Sequence, residues 1–125
     1  ASFVARGSTG EVDFTKELIK AAVRHKGFAI VDIFQACVTF NKINTHSWFK
    51  ENSYKLDDSH DPYNKEAAFS KALEREPWPL GIIYKNEDKA VFEENLASYS
   101  GNDKRPLYQR KPDSSLIQRL LEEKA

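Results

Sequence analysis

The sequence has no methionine, a single cysteine, five glycines and no excess charge of either sign. One cysteine excludes an internal disulfide, and the default compartment is a reducing cytoplasm. Lys+Arg and Asp+Glu each number 19, so the chain lacks the basic surplus that general nucleic-acid binding requires. No apolar run approaches the roughly 20 residues of a membrane span, and no charged-then-apolar leader is present. Nucleic acid and membrane are therefore not expected partners. The few glycines include neither GxGxxG nor GxxxxGK[ST], which removes the self-sufficient nucleotide loops. No serine sits in a GxSxG elbow. A chain of 125 residues has the size of one folding unit. With no Met, and with the apolar "SFVAR" beginning at residue 2, the chain reads as a fragment of something longer.

What is present has the pattern of an α/β protein. "SFVAR" predicts a strand, and "GSTGEVD" a turn. A helix is expected over residues 14–26, capped by Asp13, with Phe14, Leu18, Ala22 and Val23 on one face and Gly27 at its end. His25 stands near the negative end of that helix, where a cation is favoured. "GFAIVDIF" then reads as a strand covered on both faces, as in a parallel sheet. Strand, helix and strand make a right-handed βαβ unit, and ligands of such folds gather beyond the carboxyl ends of the strands. Cys37 lies there. Further on, "THSWFKENSYKL" suggests a short helix, residues 64–76 a helix stopped by Pro77 and Pro79, "LGIIYK" a third strand, and Asp88 to Gly101 a helix. Residues 100–113 have the composition of a linker, and "DSSLIQRLLEEK" that of a capped amphipathic helix needing a surface to lie on.

Candidate chemistry is sparse. A lone Cys is most often a small buried hydrophobe. The polar neighbours of Cys37, which are Gln35, Thr39, Asn41 and Asn44, suit a ligand or a cluster sulfur better than a nucleophile. His25, His46 and His60 could join Cys37 around zinc, but their intervals lack the paired spacing of structural zinc sites. A Cys/His catalytic pair would need the fold to bring His46 or His60 to Cys37. Asp57, Asp58 and Asp61 read as solvated loop carboxylates, and Trp48, Phe49, Trp78 and Tyr84 as packing. A small interaction domain docking through its sheet and terminal helix stays open as an alternative.

The run "GFAIVDIFQACVTFNKINTHSWFKENSYKLDDSHDP", followed by "EAAFSKALE" and "PLGIIYK", resembles the C-terminal part of the beta subunit of 2-oxoacid:ferredoxin oxidoreductases. The similarity extends over residues 2–96. The resemblance implies a parent enzyme that uses thiamine diphosphate, Mg²⁺ and a [4Fe–4S] cluster to decarboxylate a 2-oxoacid oxidatively, passing electrons to ferredoxin and the acyl group to CoA, with an alpha subunit as partner. It implies that Cys37 is the last of four cluster ligands, the others lying far upstream. Ala36 stands where that family commonly has proline. The GDGD-then-Asn signature for Mg²⁺ and diphosphate is absent, so this chain by itself is expected to bind neither cofactor and to be catalytically silent.

The expectation is thus a small parallel sheet of about three strands with flanking helices, the C-terminal portion of a thiamine-diphosphate-binding fold plus a helical extension. Residues 1–40 would end the cofactor domain, 41–99 form the C-terminal region of the beta subunit, and 100–125 the linker and terminal helix. Strands deprived of upstream neighbours expose edges, so the chain is expected to self-associate.

Overall fold

The computed structural model describes residues 1–101, 103 and 105–124. Asn102, Lys104 and Ala125, which belong to the expected linker and terminal segment, lie outside the described residues. Elements follow the order β1 (Phe3–Ser8), α1 (Val12–Arg24), β2 (Ala29–Phe34), α2 (His46–Glu51), β3 (Ser53–Lys55), α3 (Lys65–Leu73), β4 (Trp78–Lys85) and α4 (Ser114–Glu122). Where length suggests one folding unit, the chain packs as two, Ala1–Phe92 and Glu93–Ala125.

The first unit is an α/β layer structure around a sheet of order β2-β1-β4-β3. β1 and β2 pair in parallel from Phe3↔Ala29 to Ser8↔Phe34, joined by α1 as the βαβ pattern requires. β4 runs antiparallel to β1, with an irregularity in register at Val4/Ala5, and β3 is parallel to β4. The sheet is therefore mixed and four-stranded. The long excursion between β2 and β4 lets the chain return in either direction, and β3 is too short to carry a periodic signal.

The strand–helix turn is fixed locally. Thr15 Oγ1 accepts the Ser8 N–H at 3.0 Å and donates to the Ser8 carbonyl at 2.8 Å, so α1 begins two residues before the expected start, with Glu11 rather than Asp13 in the cap position. Leu18 of α1 is buried against Phe3 and Ala5 of β1, with Phe14, Ala22 and Ile82 packed around them. Val23 does not join this core and is 80% exposed. Gly27 follows the helix at φ +133°, a conformation that suits glycine. On the other face, Ala68 of α3 and Val4 and Ile83 of the sheet line an open apolar groove. α3 starts at Asn64, whose side chain accepts the Glu66 and Ala67 N–H groups.

β2 corrects one expectation. It is an edge strand, with Ile30 and Ile33 about two-fifths exposed (44% and 40%). Its apolar run fits burial on both faces, but among the described residues it pairs only with β1.

In the second unit the helix expected from Asp88 to Gly101 is absent. Its place is taken by the end of the first unit and two short 3₁₀ turns, Glu93–Asn95 and Ala97–Tyr99. Phe92 is 73% exposed, so no buried face supports a continuous helix there. A third turn covers Leu107–Gln109. Arg110 gathers this region, donating from Nη2 to the Asp103 carbonyl at 2.7 Å, from Nη1 to the Ser98 carbonyl, and lying 4.6 Å from the Tyr99 ring centroid. α4 is capped by Asp113 and carries Leu116, Ile117, Leu120 and Leu121, all exposed.

Candidate functional site

Cys37 stands three residues beyond the C-terminal end of β2, and its side chain is exposed. It is not the small buried hydrophobe that a lone Cys most often is; the neighbouring Ala36 is the buried residue. The turn behind it closes when the Asn41 N–H donates to the Cys37 carbonyl at 2.9 Å. Asn41 then organises the next stretch of chain, accepting the Ile43 and Asn44 N–H groups on Oδ1 and donating from Nδ2 to Asn44 Oδ1 at 2.8 Å. Thr45 caps α2 by accepting the Trp48 N–H at 3.2 Å. The polar residues after Cys37 thus bind one another and leave the thiol presented outward. Val38, Phe40 and Ile43 around it are also exposed, at 65%, 91% and 79%.

The end of β2 is anchored by aromatic packing. Phe34 stacks on Phe49 at 5.3 Å, and Trp78 meets Phe34 edge-on. Trp48 meets Phe49 edge-on in turn. Three of the aromatic residues read as packing therefore pack here, while Tyr84 lines the groove beside α3. Arg6 of β1 completes the cluster. Its Nε donates to Asp32 at 2.9 Å, and its guanidinium lies 5.2 Å from the Phe34 centroid and 5.5 Å from that of Trp78. Nothing in the local sequence around Arg6 signals this contact, which only the strand register Arg6↔Asp32 creates.

The histidines have separate duties. His25 Nε2 is hydrogen-bonded to Ser2 Oγ at 2.8 Å, and its ring lies against Phe3. His60 Nε2 reaches the Ile83 carbonyl at 2.9 Å, fastening its loop to β4. His46 opens α2. No group of three His, Cys, Asp or Glu side chains able to hold a metal forms among the described residues, so zinc at Cys37 and the histidines finds no support in the fold. Asp57 and Asp61 are turn carboxylates. Asp57 accepts the Ser59 N–H at 3.0 Å and Asp61 that of Tyr63 at 2.9 Å, and the Ser59 hydroxyl and N–H hold the Asp57 carboxyl below its usual range.

A second polar cluster joins β3 to α3. The Tyr54 hydroxyl donates to Glu74 Oε2 at 2.5 Å, and Lys71 Nζ donates to Tyr54 at 3.1 Å and to Glu74 Oε1 at 2.9 Å. Desolvation, then the Glu74 hydrogen bond, pushes the Tyr54 phenol upward. The bond from Lys71, then that from Tyr54, holds the Glu74 carboxyl down. With Lys71 kept cationic, the trio is a clamp and not a poised base.

An iron–sulfur cluster requires thiolates that converge from outside its cubane. Cys37 fits one corner, being a soft donor, exposed, at a strand end, and among the described residues it belongs to no group of three His, Cys, Asp or Glu side chains that could hold a different metal. It is the sequence's one cysteine, so the remaining donors of such a cluster are not in this chain. For Mg²⁺ and a diphosphate, no group of three His, Cys, Asp or Glu side chains gathers among the described residues, and the sequence lacks the GDGD-then-Asn signature.

The family described as pyruvate ferredoxin oxidoreductase beta subunit, C terminal, matches residues 37–101. Among curated proteins, the beta subunit of 2-oxoacid:ferredoxin oxidoreductase 1 of Aeropyrum pernix is 41% identical, over 77% of this chain and 34% of its own length. The beta subunit of 2-oxoacid:ferredoxin oxidoreductase of Saccharolobus solfataricus is 40% identical, over 79% of this chain and 36% of its own length. The chain thus spans about a third of the curated relatives it matches. Among solved structures, a 2-oxoglutarate:ferredoxin oxidoreductase from Magnetococcus marinus, with 2-oxoglutarate, coenzyme A and succinyl-CoA bound, superposes with a TM-score of 0.77 at 31% identity, covering 96% of this chain and 40% of that one.

Proposed function

The chain belongs to the C-terminal region of the beta subunits of 2-oxoacid:ferredoxin oxidoreductases, and from that premise we propose that it closes the cofactor-bearing domain of such a subunit and supplies Cys37 as one ligand of a [4Fe–4S] cluster. The observation that carries this reading is the exposed thiol in a self-contained turn at the carboxyl end of a parallel strand. The open edge of β2 and its exposed Ile30 and Ile33 support a further part of the subunit lying alongside.

In the whole enzyme the 2-oxoacid loses its carboxylate as CO₂, its acyl carbon is oxidised by two electrons, and a thioester forms to the CoA sulfur. Two ferredoxins each accept one electron, and a proton is released. Thiamine diphosphate with Mg²⁺ would be held outside this chain and would supply stabilisation of negative charge on that carbon, and the cluster would carry electrons. This chain's share is to present a thiolate at a point fixed by the turn that the Asn41 N–H closes on the Cys37 carbonyl. Residues 1–40 end the cofactor domain, 41–99 form the C-terminal region of the beta subunit, and 100–125 supply a linker and an amphipathic terminal helix whose apolar stripe is exposed. Among the described residues no helix is long and apolar enough to cross a membrane. The exposed free thiol of Cys37 supports placing the enzyme in the cytoplasm, where free thiols persist.

The test is the activity of the whole beta subunit assembled with its alpha subunit. Reduction of ferredoxin that depends on both a 2-oxoacid and CoA is expected. A loaded complex that reduces ferredoxin with none of a panel of 2-oxoacids, pyruvate and 2-oxoglutarate included, would overturn the assignment.

A further inference from the structure

The exit of the chain from β2 is held by more than strand pairing. The Thr9 N–H donates to the Phe34 carbonyl at 2.9 Å, and the Phe34 ring is enclosed by Phe49, Trp78 and the Arg6 guanidinium. The Arg6 side chain is only 14% exposed, while its partner Asp32 is 51% exposed, so the ion pair is largely solvent-screened and the cation is drawn inward onto the rings. Arg6 Nη1 and Trp78 Nε1 are buried without a hydrogen-bond partner. An unpaired buried donor is costly, and such groups in a folded chain call for an explanation. A lysine at residue 6 would lack the flat donor fork, and a glutamine would lack its charge.

Phe34 is the last residue of β2, and only Gln35 and the buried Ala36 separate it from Cys37. Alanine at residue 36 imposes no fixed φ of its own. The direction in which the chain leaves the sheet is therefore set by what grips Phe34. We infer that Arg6 is a positioning residue for Cys37: packed against the edge-on pair of Phe34 and Trp78 and tied to Asp32, it fixes the end of β2 and with it the location of the thiol. The inference rests on the reading of Cys37 as a cluster ligand. It assigns to Arg6 an effect on the cluster's geometry and retention, with no contact to substrate.

The experiment uses the whole beta subunit in its complex, purified anaerobically, as wild type, Arg6→Gln, Arg6→Lys and Cys37→Ser. Two properties are measured: the rate at which the cluster's visible absorption is lost to a chelator, and the paramagnetic resonance spectrum of the reduced cluster. Arg6→Gln is expected to lose iron about 10-fold faster and to shift the g-values, with far-ultraviolet circular dichroism unchanged. Arg6→Lys, which keeps the charge and the Asp32 pair but not the planar stack, is expected to fall between. Arg6→Gln matching wild type in both readouts, while Cys37→Ser loses or alters the cluster, would overturn the positioning role and leave the ligand reading intact. A wild-type spectrum in Cys37→Ser would overturn the ligand reading and the inference with it. Should Arg6→Gln fail to fold, Phe34→Leu keeps the strand and removes the ring, and wild-type iron loss and g-values there would equally overturn the proposal.

Discussion

Gly81→Ala should destabilise the chain through two separable costs. Gly81 is buried in β4, opposite Arg6 of β1, at φ +144°. An L side chain held in that region costs about 1–3 kcal/mol. The added Cβ would also lie 3.1 Å from Leu56 Cβ and 3.2 Å from Leu56 Cδ1. Leu56 is itself held by its N–H bond to the Leu80 carbonyl at 2.8 Å, so it cannot withdraw freely, and crowding of this kind costs about 1–3 kcal/mol more. Restriction of the unfolded chain returns roughly 0.4–1 kcal/mol. Taken at the middle of each range, the net loss is about 3 kcal/mol, a large part of the roughly 5–15 kcal/mol that holds an ordinary domain together. Urea unfolding followed by tryptophan fluorescence reads this directly, since Trp78 opens the same strand, and with a slope of about 1–3 kcal/mol per molar the midpoint should fall by about 1–3 M. Gly101→Ala, where a Cβ meets nothing within 4 Å, should change stability by less than about 0.5 kcal/mol. Equal midpoints for Gly81→Ala and wild type would refute the reasoning.

Asn64→Ala removes the acceptor for the Glu66 and Ala67 N–H groups and should cost about 1 kcal/mol, with Asn64→Asp restoring most of it; an unchanged melting temperature in Asn64→Ala would contradict the cap. Glu74, held below its ordinary value of 4.5 chiefly by the Lys71 hydrogen bond, contributes stability that is present above that value and is lost as pH falls through the lower value of the folded state. Melting curves of wild type and Glu74→Gln should therefore converge toward acid pH, and curves that stay parallel would sink the clamp. The chain alone should form a dimer by light scattering, through the open edge of β2 or exchange of α4. Charged residues at Leu120 and Leu121 should weaken the dimer if α4 is exchanged, and a clean monomer at high concentration would contradict the expectation.

What could be read from the sequence was what short-range chemistry decides. Asp113 marks its helix because it caps N–H groups two and three residues on, and the βαβ unit shows in the spacing of Leu18 and the run from Ala29 to Phe34. The start of α1 was displaced because Thr15 bonds back to Ser8, seven residues earlier. The antiparallel β4 and the brief β3 depend on pairings across long separations, which periodicity does not encode. The helix expected from Asp88 failed for want of a surface to bury Phe92. Cys37 could be singled out as the lone thiol at a strand end. Arg6 could not, because Asp32, Phe34 and Trp78 meet it only in the folded sheet.

The central claim is that Cys37 is a ligand of a cluster completed by upstream cysteines, and the most direct test is the iron and acid-labile sulfide content of the whole beta subunit with and without Cys37→Ser, read beside its reduced-state resonance spectrum. Serine offers a harder oxygen donor than thiolate, so the variant should lose one cluster's complement of iron and sulfide or show a displaced spectrum. Identical iron, sulfide and resonance lines in the two proteins would contradict the account.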